Sequence, residues 1–210
     1  MKRVRGRLAA AMAVWLCAAG AAAQTAPEPG AAIIAAARRG DLPRVKALLA
    51  SGVGVDAKGR RDLTPLMAAA MEGHAGVAEA LLRAGANPNA QTTHPLKGWT
   101  GATPLAWAAT NGWADCVRVL LAHGAAVDAR VLDRKTPLML AAMWGYTGCV
   151  RLLLAAGARR DLTDAADLNA LALARRGDSP GGVRNPAGHT ECIRLLAPTA
   201  KPPARGRSGR

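Results

Sequence analysis

The sequence predicts an all-α solenoid of stacked helix–turn–helix units joined by short polar turns. Three observations predict it. Ala31, Thr64, Thr103, Thr136 and Asn169 stand in register at spacings of 33, 39, 33 and 33 residues, which is the mark of one structural unit repeated along the chain. Three units open Thr-Pro-Leu, and threonine followed by proline is a helix start: the side chain caps an orphan N–H, and proline in the first turn gives up no hydrogen bond. Each unit then carries two short apolar runs, the first ended by Gly40, Gly73, Gly112 or Gly145 and the second by Gly52, Gly85, Gly124 or Gly157, residues suited to the left-handed turn that stops a helix.

The stretches TPLMAAAMEGHAGVAEALLRAGANPNA (64–90), TPLAWAATNGWADCVRVLLAHGAAVDA (103–129) and TPLMLAAMWGYTGCVRLLLAAGARRDL (136–162) resemble ankyrin repeats. The resemblance spans 31–196 and implies a domain over 31–198 with five repeats at about 31–63, 64–102, 103–135, 136–168 and 169–198. It implies that the connecting turns are short β-turn fingers, and that the protein is non-catalytic and binds through the finger tips and the outward face of its first helices, on the concave side. Carried over by position, the protein-binding residues are Arg60, Arg61, His94, Lys97, Trp99, Asp133, Arg134 and Trp144, with Asp62 and Lys135 beside them. Trp99 and Trp144 are the expected aromatic anchors. Met67, Ala106 and Met139 are expected to face mostly outward. Trp107 falls in the core, and Trp113 and Tyr146 pack on the turn between helices.

Composition agrees with this architecture. Half of the 210 residues are apolar but only 3% are aromatic, with no Phe, so the chain must fold through many small helix contacts. The strip common to all repeats comprises Leu66, Leu105 and Leu138 with the pairs Leu48/Leu49, Leu81/Leu82, Leu120/Leu121 and Leu152/Leu153. No unit buries its apolar faces alone; stacking does.

Taken in order, 1–23 has a basic start (Lys2, Arg3, Arg5, Arg7), an apolar run and a small-residue site at Ala21-Ala22-Ala23, the pattern of a secretory signal peptide. An uncleaved anchor is the alternative; the apolar run is short for a span of about 20 residues. A proline-rich linker follows over 24–30. The first repeat keeps Gly40, Asp41 and Gly52 but lacks Thr-Pro, as a terminal unit should. Six extra residues lengthen the finger at 91–102, and 177–187 is a Gly/Pro insertion in the last repeat. The last helix is as apolar as internal ones, so the insertion, the tail or a partner is expected to cover it. A basic, unstructured tail occupies 199–210.

Removing the four charges of the leader from the formal +14 leaves +10, of which four lie in the last ten residues. This balance reads first as a solubilising surface with an unstructured tail; as a guide to partners in an exported protein it points to acidic protein surfaces or anionic envelope polymers and away from nucleic acid. The expected address is periplasmic or secreted, with no stable membrane insertion after cleavage, and the expected state is a monomer with one protein partner.

Little chemistry is offered. Cys116, Cys149 and Cys192 occupy one place in successive second helices. Neighbouring helix axes lie about 8–10 Å apart, too far for a disulfide with Cβ atoms about 3.8 Å apart or for a shared zinc, so they read as small core residues. His74, His94, His123 and His189 form no metal motif, and no nucleophile motif or phosphate loop occurs. Neither a cofactor nor a metal is expected. The alternative reading is an auxiliary envelope factor that supports an oxidative-stress or cofactor-dependent enzyme through His94 and the cysteines.

Overall fold

A computed structural model describes residues 29–93, 101–177 and 186–197. The helices in these segments form five antiparallel pairs: α1 (Pro29–Arg39) with α2 (Leu42–Ala50), α3 (Pro65–Glu72) with α4 (Ala75–Arg83), α5 (Pro104–Thr110) with α6 (Ala114–Ala122), α7 (Pro137–Met143) with α8 (Thr147–Ala155), and α9 (Ala170–Arg176) with α10 (Pro186–Leu196). The first helices pack in one row, α1 against α3 and so on to α9, and the second helices form the row beside it. Among the described residues there is no strand. The leader, the long finger's His94, Lys97 and Trp99, most of the 177–187 insertion and the basic tail lie outside them.

The local rules operate as the sequence predicts. Thr64, Thr103 and Thr136 accept from the backbone N–H three residues on, at 3.2, 3.2 and 3.4 Å, and Asn169 does so at 2.9 Å. The eight helix-ending glycines all have positive φ. Leu66, Leu105 and Leu138 are buried in the first row and Leu81, Leu120 and Leu153 in the second; each contributes roughly 2 kcal/mol of apolar transfer. Trp107 is in the core as expected.

Two expectations need correction. Pro29 and Gly30 are the first turn of α1 and not linker, since proline costs nothing where no intrahelical acceptor is available. Met67, Ala106 and Met139 do not face outward: they are 0%, 1% and 1% exposed. A first helix in this stack is enclosed by the first helices on either side and by its own second helix, so all of Pro65 to Met71 in α3 is buried. The Met139 sulfur even accepts the Thr136 N–H, at 3.4 Å.

The repeats are locked by a ladder of rings. The Nε2–H of His74 donates to the Arg38 carbonyl (3.0 Å), Trp113 Nε1 to the Met71 carbonyl (3.1 Å), and His189 Nε2 to the Met143 carbonyl (3.1 Å). A carbonyl can only accept, which fixes the proton of both histidines on Nε2. Each ring lies where the preceding repeat's glycine has no side chain: a Cβ on Gly40, Gly73 or Gly112 would stand 2.6, 2.6 or 2.7 Å from His74, Trp113 or Tyr146. A second ladder runs along the turns after the second helices. Asp56 accepts from the Asn87 N–H, Asn89 from that of Ala126 and Asp128 from that of Arg159.

The last helix carries a cluster of charged side chains. Cys192 and Leu196 are buried, and no large apolar side chain of α10 is exposed. Glu191 accepts from Arg194 one turn on (2.7 Å) and from Arg151 of α8 (2.5 Å). The Arg194 hydrogen bond first, aided by Arg151, holds the Glu191 carboxyl at about 2, below its ordinary 4.5. A carboxyl depressed in the folded state stabilises fully above its unfolded value, and that contribution disappears as pH falls through the folded one. Glu191→Gln should therefore lower the melting temperature at pH 6, and the difference should shrink between pH 4.5 and 2; thermal melts across that range check it.

Candidate protein-binding surface

The fingers are tight hairpins at the N-terminal ends of the first helices. In the first, Gly59 N–H donates to the Leu63 carbonyl at 2.9 Å, and in the third Val131 N–H donates to Lys135 at 2.9 Å. Their tips, Arg61-Asp62 and Asp133-Arg134, have φ of 61, 59, 56 and 60°. Each arginine there costs about 1–2 kcal/mol relative to the right-handed conformation, a cost glycine avoids and aspartate, which adopts this conformation more readily, bears less of.

The structure places the expected site residues in three settings. Arg60 and Arg61 are exposed on the first finger, and Asp133 and Arg134 on the third. Lys135, beside them, is tied down: its ammonium lies 3.5 Å from the carboxylates of both Asp133 and Asp164. Arg130 donates to the carbonyls of Arg134 (3.1 Å) and Thr163 (3.0 Å), which fastens the third finger to the fourth. Burial works against the charged form of Asp164, but hydrogen bonds from the Leu168 and Ala166 N–H groups and the Lys135 charge outweigh it, and its carboxyl lies below the ordinary value. The third finger is thus braced against the turn that follows it.

Trp144 is not part of it. It caps the C-terminal end of α7, roughly 10 Å along the helix from the finger that precedes Pro137, and its indole nitrogen is buried without a hydrogen-bond partner. The exposed large apolar side chain among the described residues is Trp113, at 43%. It lies on the inter-helix turn as the sequence predicts, yet one edge remains in solvent. The ring can cover only as much as the Gly73 turn beneath it.

Sequence reasoning missed a groove of about 560 Å³ at the N-terminal end of the finger row, between α1 and the first finger. Ala31, Ile34, Ala35 and Leu63 line it, with Arg38, Arg39, Arg60 and Arg61 around them. Arg38 occupies the register position of Met71 in the next repeat. That replacement of an apolar by a charged residue was the available signal.

Cys116, Cys149 and Cys192 are free and buried, on successive second helices. Burial pushes the Cys116 thiol up to about 11 and that of Cys149 to about 12, with like-charge contributions from neighbours, and raises Cys192 also. Thiols so held are poor nucleophiles and metal ligands, because the thiolate is the reactive form. In a Cys17→Ser background they should react with a thiol reagent at pH 8 roughly a hundredfold more slowly than in denaturant. Among the described residues no group of His, Cys, Asp and Glu could hold a metal ion, and no helix is long and apolar enough to cross a membrane.

The stack of paired helices joined by charged fingers defines an all-α repeat solenoid as its class. The sequence profile for ankyrin repeats (three copies) matches residues 9–92 and 91–164, and the chain belongs to that family. The match ends before the fifth helix pair, which is described by its geometry alone. Over 108 residues, 51% of this chain, the sequence is 36% identical to Ankyrin repeat and KH domain-containing protein mask-1 of Caenorhabditis elegans; the aligned part is 4% of that protein. Ankyrin repeats generally mediate protein–protein interaction and are typically non-catalytic.

Proposed function

We propose that the chain is an exported, non-catalytic scaffold of the bacterial periplasm that holds a protein partner on the concave, finger-bearing side of its stack. The observation that carries this reading is the conformation of the finger tips. A hairpin that served only to connect two helices would take Asn-Gly at two consecutive positive-φ positions; here Arg61-Asp62 and Asp133-Arg134 occupy them. Strain of this kind is retained where the side chains presented are the purpose of the turn. Bracing by Lys135, Arg130 and Asp164 means that little conformational freedom is lost on binding. The periplasmic address rests on the leader-like pattern of 1–23, and cell fractionation tests it.

Arg134→Gly should relieve strain and stabilise the fold by about 1 kcal/mol, a rise in melting temperature of roughly 2–4 °C, while weakening partner capture. The functional test is capture from an envelope fraction with the natural chain beside an Arg60→Gln, Arg61→Gln, Arg134→Gly variant of native circular dichroism. A partner held by the first and lost by the second supports the finger surface. A partner held equally by both overturns it.

A further inference from the structure

We infer that the N-terminal groove is a subsite for an acidic peptide segment of the partner, one that inserts an aliphatic side chain between flanking carboxylates. This deepens the scaffold reading and rests on it. One wall of the groove is α1: Ala35, partly exposed, stands where Ala68 of the next repeat is fully buried, and Ile34, 8% exposed, stands at the position of Met67. Here no first helix precedes α1 among the described residues, and the first finger closes one side instead. Gly59 permits this closure, since a Cβ there would lie 2.6 Å from Ile34 Cδ1.

Charge decides the occupant. Arg38 is partly neutralised by Glu72, 3.6 Å away, across an exposed pair. Arg39, Arg60 and Arg61 have no acidic partner among the described residues, and all line the same groove of about 560 Å³. Three uncompensated guanidinium groups around an aliphatic floor are complementary to carboxylates, which arginine can bind through two parallel N–H donors. The floor is Ala31, which is exposed, with the edges of Ile34 and Leu63, 8% and 7% exposed; it favours a peptide over a bare polyanion, because only a peptide supplies an apolar group to lie against it. The volume accommodates a few side chains and not a whole domain, so the segment enters as an extended strand or a helix end.

The test uses the full chain and a fluorescent capped peptide carrying one leucine between two pairs of aspartates. Three comparisons accompany it: the peptide with asparagines for aspartates, the peptide with glycine for leucine, and inorganic polyphosphate. Binding of the parent peptide should fall roughly ten- to a hundredfold in an Arg39→Gln, Arg60→Gln, Arg61→Gln variant, as expected for three partly exposed charge contacts, and should fall for both altered peptides. An Ile34→Ala variant of unchanged helicity should weaken the parent peptide but not the glycine peptide. Undetectable binding, equal binding by the arginine variant, or polyphosphate bound as well as the peptide would each overturn the inference. Such a failure would leave the scaffold reading open to its own capture test, in which Arg134 of the third finger is also changed.

Discussion

Gly112→Ala is expected to destabilise the fold by roughly 2–5 kcal/mol, whereas Gly124→Ala, at nearly the same backbone angle, costs roughly 1–2 kcal/mol. Both glycines are left-handed, with φ of 78 and 80°. At Gly124 a Cβ meets nothing within 4 Å, so only backbone strain is charged; at Gly112 it would stand 2.7 Å from the Tyr146 ring. The ring would have to leave its place on the preceding repeat, and the contact between the two units would loosen with it. Denaturant melts of the two variants measure the difference. A double variant, Gly112→Ala with Tyr146→Ala, separates the causes: in the background without the ring, the glycine change should cost only the strain component. Equal costs for Gly112→Ala and Gly124→Ala would show that the ring ladder is not what couples the repeats.

The second large effect is Leu138→Ala. Leu138 is 0% exposed in α7, which packs between α5 and α9 and also touches α10. Removing three side-chain carbons there should cost roughly 2–5 kcal/mol, depending on how far the site collapses. Because each repeat touches only its neighbours, the loss should not spread evenly. The pair α9–α10 should lose hydrogen-exchange protection while α1 to α4 keep most of theirs, as in a nearest-neighbour array. A uniform loss along the whole chain would contradict the linear arrangement.

These two cases show what could be read from residues alone. Thr64, Thr103 and Thr136 announce their helices because an N-cap is a local device, decided by one side chain and an N–H three residues away. The helix-ending glycines are equally local. Met67 and Met139 were placed on the wrong side because a first helix is buried on nearly every side, and a wheel drawn for one helix assumes a solvent face. Trp113 takes its expected place on the inter-helix turn, yet its 43% exposure was not legible, because how much of a ring is covered depends on the neighbouring repeat, which sequence position does not encode. The groove joins Arg38 and Arg39 to Arg60 and Arg61, and only the fold brings α1 beside the first finger. The identity of the partner is not written in any residue, since complementary chemistry is shared by many acidic segments.

The finger row is the face proposed to hold the partner. Amide hydrogen exchange on the chain, alone and saturated with the protein captured from the envelope, tests it most directly. Slowed exchange at 59–63 and 131–135, extending into the first turns of α1 and α7, is the predicted result. Slowed exchange confined to the second helices, or to the inter-helix turns around Trp113, with the fingers unchanged, would contradict it.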